Sequence, residues 1–425
     1  MNLEKIEDLM FSIENENQEL LEGCNEWSLL RNRLYMNMLK ILEKEGAKSK
    51  SSEVLNSRFL SNLFYGFKNW FKSYDILVFT NNQYRKKIND IYFDRVLDPF
   101  ISEEDKKRTL FLSLTNTTFY PMDKIHSKHV VSQTILDLIG YLFVKLRPSS
   151  KKDSIGIEKI LEKHENINFN VKQELRQFYG YYYLYRFFFK LYKPKKIFVA
   201  TYYSATRNYM VKAANDLKIP VIEGQHGYIG NAHPSYNCKI KLDASYIPSE
   251  LWVFSEFDKE ILREKGVYAQ NQIKVKGDYF LDQIKEIGRK ESVEMEPYVD
   301  TYQYRVGISL QIPLESVMVP FFIRTAELNR DILYIFIPRI WNNEYENLEL
   351  PENVIFVKES GFYDTILWCT HHSTVFSTTA FEADYLGFPN VLVDIQGLAS
   401  KYFGTVFPEE TIVTEENQLI KQILR

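Results

Sequence analysis

Four of the seven histidines in this 425-residue chain fall in two short clusters, and those clusters are where chemistry is best supported. The first reads Glu223-Gly-Gln-His226-Gly227-Tyr-Ile-Gly-Asn-Ala-His233-Pro234 and follows an apolar run at 219–222. His226 then stands on a loop at the carboxyl end of a strand, with Gly224, Gly227 and Gly230 permitting close backbone approach or left-handed turns. A histidine there, at its ordinary near-neutral pKa, can act as a general base toward a hydroxyl. It can equally be a turn residue whose ring bonds a carbonyl, and His233 before Pro234 fits that second role. The second cluster is Cys369-Thr-His371-His372-Ser373-Thr-Val-Phe-Ser377-Thr378-Thr379-Ala-Phe-Glu382, closed by Gly387 and Pro389. A strand over 374–376 and a helix over 379–386 would put three hydroxyls and the free N–H groups of a helix start together, a site for phosphate. Glu382, one turn in, suits the two hydroxyls of a ribose. The same Thr379-Ala-Phe-Glu382 spacing is also a capping box, which would serve only the helix end. Cys369, His371 and His372 invite a metal, but their spacing departs from ordinary ligand patterns and no second cluster lies near in sequence.

Other candidates follow apolar runs in the same way. Arg339 succeeds 332–337, where a guanidinium can neutralise a diphosphate or pair with Glu344 or Glu346 at the surface. Gly277-Asp278 and Ser309 with Gln311 also follow strands and become candidates to line a cleft. No dinucleotide fingerprint, P-loop, HExxH or GxSxG pattern occurs, which weakens dehydrogenase, NTPase, zincin and serine-hydrolase readings.

These residues need elements to hold them. Compact apolar runs at 75–80, 107–114, 197–200, 219–222, 251–254, 273–276, 306–309, 332–337, 354–357 and 391–394 read as strands, with helical patterns between. Strand–helix–strand units with continuously apolar strands predict parallel sheets covered on both faces. The chain therefore reads as α/β, two Rossmann-like domains facing across a cleft, with an extra N-terminal helical segment. The division expected is 1–245 and 246–425, and the interval 285–304 reads as weakly structured. Length supports two or three domains, and 45% hydrophobic with 26% charged residues supports a folded core. A net charge of −3 leaves no basic footprint for nucleic acid. Three scattered cysteines and a charged N-terminus point to a reducing, cytoplasmic setting without export. The 15% aromatic content, dense over 178–192, reads as core or as a surface lying on a bilayer, with peripheral contact at the inner face of the cytoplasmic membrane.

Taken together, Gly224-Gln-His-Gly227 leading through His233-Pro-Ser-Tyr236 to Leu251-Trp-Val-Phe-Ser, and the later Ser377-Thr-Thr-x-x-Glu382-Ala-x-x-x-Gly387-x-Pro389, resemble bacterial surface-polysaccharide (capsule and O-antigen) glycosyltransferases of the GT-B fold. The Trp27-Ser-Leu-Leu-Arg31 segment looks similar too. The resemblance implies a nucleotide-sugar donor in the C-terminal domain and a glycan or lipid-linked glycan acceptor in the N-terminal domain. It implies no metal and no cofactor beyond the donor substrate. Ser377, Thr378 and Thr379 would hold donor phosphate, Glu382 the ribose, and His226 would be the base. The doubled His371-His372, with Ser373 beside it, would help with a carboxylate-bearing donor. Where the family has Arg-x-His-Pro this chain has Arg339-Ile-Trp-Asn. The alternatives on the same scaffold are a glycerol- or ribitol-phosphate transferase, a sugar-nucleotide epimerase, and a non-catalytic subunit of a polysaccharide assembly complex.

Overall fold

The computed structural model describes residues 3–46, 62–88, 91–115, 118–146, 155–164, 167–204, 206–227, 229, 233–262 and 266–425. Gly230 lies outside the described residues. The chain divides into unit 1, Met1–Asp278, and unit 2, Tyr279–Arg425.

Unit 1 holds strands β1 (Ile76–Asn81), β2 (Arg85–Ile88), β3 (Ile91–Asp94), β4 (Thr109–Leu114), β5 (Val130–Ser132), β6 (Lys196–Val199), β7 (Val221–Gly224), β8 (Glu250–Val253) and β9 (Ile273–Val275). Seven of them form one sheet in the order β5-β4-β1-β6-β7-β8-β9, every pair parallel. β2 and β3 make a separate antiparallel hairpin. The side chains of β1 alternate between two cores, as the period of a strand requires: Leu77 and Phe79 pack with the aromatic helix described below, Ile76 and Val78 on the opposite face. That two-sided burial is why these strands read as unbroken apolar runs rather than as alternating ones.

Unit 2 holds β10 (Tyr304–Ser309), β11 (Ile332–Ile337), β12 (Val354–Phe356), β13 (His371–Thr374), β14 (Asn390–Val393) and β15 (Ile412–Val413). They form a parallel sheet in the order β12-β11-β10-β13-β14-β15. Counted within the unit this is the 3-2-1-4-5-6 order of a Rossmann fold. Unit 1 has the same order with one strand added beyond the sixth. The order in which strands are added therefore reverses at β1/β6 in unit 1 and at β10/β13 in unit 2, and ligands of such sheets bind at the carboxyl edge beside that switch.

The expected boundary at 245/246 is corrected to Asp278/Tyr279, because β8 pairs with β7 and β9 with β8. Those two strands extend the first sheet instead of opening the second. The interval 285–304 is also better ordered than its composition suggested. The Glu294 carboxylate accepts the backbone N–H groups of Lys358, Glu359 and Ser360 at 2.7, 3.1 and 3.0 Å, and Met295 is fully buried.

Helices α1 (Leu3–Glu16), α2 (Asn25–Gly46), α3 (Thr134–Leu146), α4 (Val171–Tyr192) and α5 (Arg207–Asp216) belong to unit 1. α6 (Tyr279–Ile287), α7 (Glu315–Leu328), α8 (Thr379–Leu386) and α9 (Glu416–Ile423) belong to unit 2. α3 and α4 cross at glycines: a Cβ built on Gly140 would lie 2.2 Å from the Tyr181 ring, and one on Gly180 would lie 2.4 Å from Val144. Phe178, Tyr185, Phe188 and Phe189 of α4 are buried, so much of the aromatic stretch is core. Phe187 and Leu191 on the same helix remain 62% and 67% exposed.

The N-terminal helices brace unit 1 rather than hanging from it. Arg31 on α2 pairs with Glu14 on α1 at 2.8 Å, both fully buried. Arg31 also donates to the carbonyls of Pro234 (2.6 Å) and Asn237 (3.0 Å), and Glu14 accepts the Lys239 N–H at 2.8 Å. The segment after His233 is thus pinned by the first two long helices.

Candidate functional site

The carboxyl edge of unit 1 gathers the first histidine cluster. His226 follows β7, and Tyr203 follows β6 four residues past its end. The Ser235 N–H donates to His233 Nδ1 at 3.2 Å, so the proton of that ring sits on Nε2 and meets the Tyr203 oxygen at 3.3 Å. Tyr203 in turn donates to His226 Nε2 at 3.3 Å, and His226 Nδ1 has no partner. This assignment follows from the hydrogen-bond pattern. His226 therefore keeps its accepting nitrogen on a long, weak bond that a substrate hydroxyl can replace. Arg95 donates to the His226 carbonyl at 3.1 Å, and Tyr84 donates to or accepts from Thr201 at 2.9 Å beside it.

The expected near-neutral pKa of His226 is corrected. Burial first, then the nearby His233, Arg95 and Arg207, lowers it to about 3, and burial lowers His233 to about 4. Both rings are neutral at physiological pH.

The other residues of this segment are structural. Gln225 is buried; it donates to the Gly227 carbonyl (3.0 Å) and Asp258 (2.8 Å), and its carbonyl oxygen accepts the Phe254 N–H at 2.9 Å. Gly224 ends β7 without a positive φ, and a Cβ there would meet Leu97, Phe100 and Val96 at 3.0–3.2 Å. Gly227 has open space around it and no positive φ. Beneath the loop, the fully buried Glu223 accepts from the Tyr202 N–H (3.1 Å), Tyr236 hydroxyl (3.0 Å) and Tyr268 hydroxyl (2.6 Å). Burial pushes that carboxyl up to about 7.

Unit 2 gathers the second cluster differently from the expectation. β13 begins at His371, so the histidine pair lies inside a strand and not on the loop ahead of one. Successive strand residues face opposite ways, so the two rings part. Asn390 donates through Nδ2 to the Ala380 carbonyl at 2.9 Å, which turns its Oδ1 toward His372 Nδ1 at 2.7 Å. His372 accordingly carries its proton on Nδ1, and its Nε2 accepts the Ser309 hydroxyl proton at 2.9 Å. Ser309, at the carboxyl end of the switch strand β10, is left presenting oxygen lone pairs. Burial lowers His372 to about 4 and lowers His371, whose Nδ1 meets the Thr370 hydroxyl at 3.0 Å. Ser373 is buried and donates to the Val391 carbonyl across β13 and β14. Cys369 is buried, its thiol is pushed up to about 12, and its Sγ donates to the Thr365 carbonyl at 3.4 Å. Among the described residues no group of three or more His, Cys, Asp or Glu side chains is arranged to hold a metal ion.

Ser309, Gln311 and the Ser377 segment are brought together. The Gln311 carbonyl oxygen accepts from the Phe376 N–H at 3.0 Å and the Thr374 hydroxyl at 3.4 Å, tying the two loops at the switch point. Ser377 Oγ accepts the Thr379 N–H at 3.3 Å, Thr378 is the N-cap of α8 without a side-chain bond, and Thr379 Oγ1 is buried with no partner. The capping box does not form, because α8 starts at Thr379 itself and the Glu382 carboxylate accepts the Tyr363 hydroxyl at 2.7 Å. Gly387 ends α8 in the left-handed region at φ 90, as a helix stop does. Arg339, past β11 on the same edge of the sheet, is exposed and pairs with neither Glu344 nor Glu346, the latter being taken by Lys358 at 2.7 Å. Gly277, at φ 79, and Asp278 close unit 1 and do not belong to this edge.

Residues that the sequence reading missed are Tyr203, Thr201, Tyr84, Arg95 and Glu223. Thr201-Tyr-Tyr-Ser204 directly follows a strand, which was the available signal.

No protein-family description matches the chain, and no curated protein matches it. Solved structures do. The Methanocaldococcus jannaschii UDP-GlcNAc 2-epimerase in complex with UDP-GlcNAc and UDP is similar at TM-score 0.44 and 13% identity, over 82% of this chain and 91% of that one. S. aureus MnaA with UDP is similar at TM-score 0.48 and 11% identity, over 82% and 86%. The glycosyltransferase SnogD from Streptomyces nogalater is similar at TM-score 0.46 and 11% identity, over 83% and 91%. The architecture rests on the two strand orders given above.

Proposed function

We propose that the chain is a glycosyltransferase that moves a sugar from a nucleotide-activated donor, held by unit 2, to a surface-glycan acceptor held by unit 1. The observation that carries the reading is the β10/β13 switch point, where Ser309, Gln311 and Ser377–Thr379 converge and the buried Thr379 hydroxyl has no partner. The Ser377–Thr379 hydroxyls and the positive end of the α8 dipole serve the donor phosphate as charge develops on the leaving group. Ser309, with its proton committed to His372, accepts from a ribose or sugar hydroxyl rather than donating to phosphate. Glu382 receives the ribose, and the exposed Arg339 neutralises diphosphate. On unit 1 the acceptor hydroxyl replaces Tyr203 at His226 Nε2 and gives up its proton there. The imidazolium so formed is disfavoured by burial, so the proton must pass onward as transfer completes. The reading also rests on the resemblance of the two clusters to capsule and O-antigen enzymes.

Screening the thermal stability of the full chain against UDP, GDP, CDP, CMP and dTDP tests the reading. One nucleotide at 100 times its Kd should add about 2.7 kcal/mol, and no response to any of them refutes it in favour of a non-catalytic subunit. With the nucleotide known, His226→Ala should lower turnover far more than donor affinity. Conversion of the nucleotide sugar without acceptor would replace transfer by epimerisation, and transfer from CDP-glycerol would replace it by phosphate-centred attack.

No described helix is long and apolar enough to cross a membrane. The outer side of unit 1 nonetheless exposes Tyr141, Leu142 and Leu146 on α3 and Phe187 and Leu191 on α4, with Lys145 and Lys190 among them. Aromatic and aliphatic residues flanked by lysines suit the headgroup region of an anionic bilayer, where a lipid-linked acceptor would be met. Flotation with phosphatidylglycerol vesicles, lost in Phe187→Ser/Leu191→Ser, is the expected result; recovery of both proteins unbound refutes the contact.

A further inference from the structure

One strand away from the histidines, the carboxyl edge of unit 1 carries a second group of polar side chains that the proposed transfer does not use. Arg207 opens α5 and is 2% exposed, yet among the described residues its side chain makes one hydrogen bond, from Nη2 to the Thr80 carbonyl at the end of β1. Its Nε is buried without a partner, and it forms no ion pair with any described residue. Asn208, next along α5, is 1% exposed with neither carboxamide atom bonded. Along the same carboxyl edge, Gln133, whose Nε2 reaches the Thr206 hydroxyl beside Arg207 at 3.4 Å, leaves Oε1 buried and unpartnered, as are Asn82 Oδ1 after β1 and the Ser113 hydroxyl in β4.

The surrounding acids do not complete the guanidinium. Asp94 is already taken up by the Thr80 hydroxyl and the Val96 and Leu97 N–H groups. Asp137 is pushed up to about 6 by burial, and Gln133 reaches it at 3.5 Å. A buried, fully charged guanidinium with one hydrogen bond is unfavourable unless an anion is supplied. The first turn of α5, whose N-cap Thr206 makes no side-chain cap bond, adds the positive end of the helix dipole on the same side. The group is mixed. Arg207, Asn208 Nδ2 and Ser113 donate, whereas Asn82 Oδ1, Asn208 Oδ1 and Gln133 Oε1 accept. Donors that include a fork suit an oxyanion, and free acceptors suit hydroxyls.

We propose that this edge binds a polyhydroxylated oxyanion, a sugar carboxylate or a sugar phosphate, with Arg207 holding the anion and the carboxamides holding hydroxyls. This deepens, and rests on, the reading that unit 1 receives the acceptor, and makes that acceptor an acidic sugar residue. Glucuronate and glucose 1-phosphate each differ from glucose by one anionic group, a carboxylate at C6 or a phosphate at C1, which Arg207 would take. Titrated into the full chain by calorimetry, one or both anions should bind and glucose should not, the stronger of the two identifying carboxylate or phosphate as the source. Arg207→Gln should weaken that anion at least about tenfold, and Arg207→Lys should fall between, having charge without the fork. Asn208→Ala removes atoms that have no partner, so it should keep its melting temperature and weaken the anion several-fold; it serves if the arginine variants do not fold. Thr379→Val, on the unit 2 edge, should leave the response unchanged. Equal binding to wild type and Arg207→Gln, equal binding of glucose, or no binding of either anion overturns the proposal. Nucleotide binding read in the same samples separates the two failures: anion bound without nucleotide overturns the transferase reading alone.

Discussion

Glu223→Gln should reverse its effect on stability with pH. The wild-type carboxyl is fully buried and pushed from its ordinary 4.5 up to about 7 by burial, against the opposing pull of three donors. A group raised in the fold contributes stability that is fully present below its unfolded pKa and is lost as pH rises through its folded one. For Glu223 the window runs from about 4.5 to about 7. At 1.36 kcal/mol per pH unit the wild type loses up to roughly 3 kcal/mol across it. Glutamine cannot ionise and has no such loss. It keeps an oxygen for two of the donors and turns its amide to the third, at a cost of about 1 kcal/mol that does not vary with pH. The variant should therefore be about 1 kcal/mol less stable at pH 4.5 and about 2 kcal/mol more stable at pH 8. In a unit of this size that is a swing of roughly 6–12 °C in the melting temperature of its transition. The assay is calorimetry of both proteins at constant ionic strength. His226, His233 and His372, lowered to about 3, 4 and 4, impose the opposite trend below pH 6.5, but they do so in both proteins and cancel in the difference. A difference curve that stays flat from pH 4.5 to 8 would refute the buried, proton-retaining carboxyl.

Three further outcomes are expected. Arg31→Met leaves the buried Glu14 carboxylate without its counter-ion, holding only the Trp27 indole and Lys239 N–H groups, and should cost about 3–5 kcal/mol in the unit 1 transition; a cost under 1 kcal/mol would mean the pair adds nothing to the bracing. Tyr203→Phe should retain most of the transfer activity, because the hydroxyl only occupies the nitrogen that the acceptor replaces, whereas loss comparable to His226→Ala would make Tyr203 part of the proton path. Gly180→Leu should separate α3 from α4 and destabilise unit 1 by more than about 3 kcal/mol, as overpacking at a close crossing does, and an unchanged melting temperature would refute the contact.

Much of the scaffold was legible because a strand buried on both faces leaves an unbroken apolar run, as at 76–79 and 332–337. Strands that lack such a run were not seen. The hairpin β2–β3 contains Arg85-Lys-Lys, β5 is three residues merged into the helical pattern of α3, and β13 is His-His-Ser-Thr, polar because its side chains bond Asn390 and Val391. The domain boundary was misplaced because β8 and β9 look the same whichever sheet they join. Only pairing decides that. The Gly-rich and hydroxyl-rich motifs do lie at the carboxyl edges of the two sheets, as their position after apolar runs indicated. The roles within them depended on partners far along the chain. Gln225 serves Asp258, and His372 serves Ser309, links that local spacing does not encode.

The bond between Arg31 and the Pro234 carbonyl joins residues 203 positions apart, so one end leaves the ribosome long before the other. Until the distant end emerges, Arg31 and Glu14 have only each other, the Trp27 indole N–H and water, so α1 and α2 must wait for their remaining contacts through most of the synthesis of unit 1. Contacts of such long sequence separation slow folding and lengthen exposure of incomplete states. A nascent chain released before residue 234 would lack this clasp, and its histidine loop would lose one of the contacts that set its position.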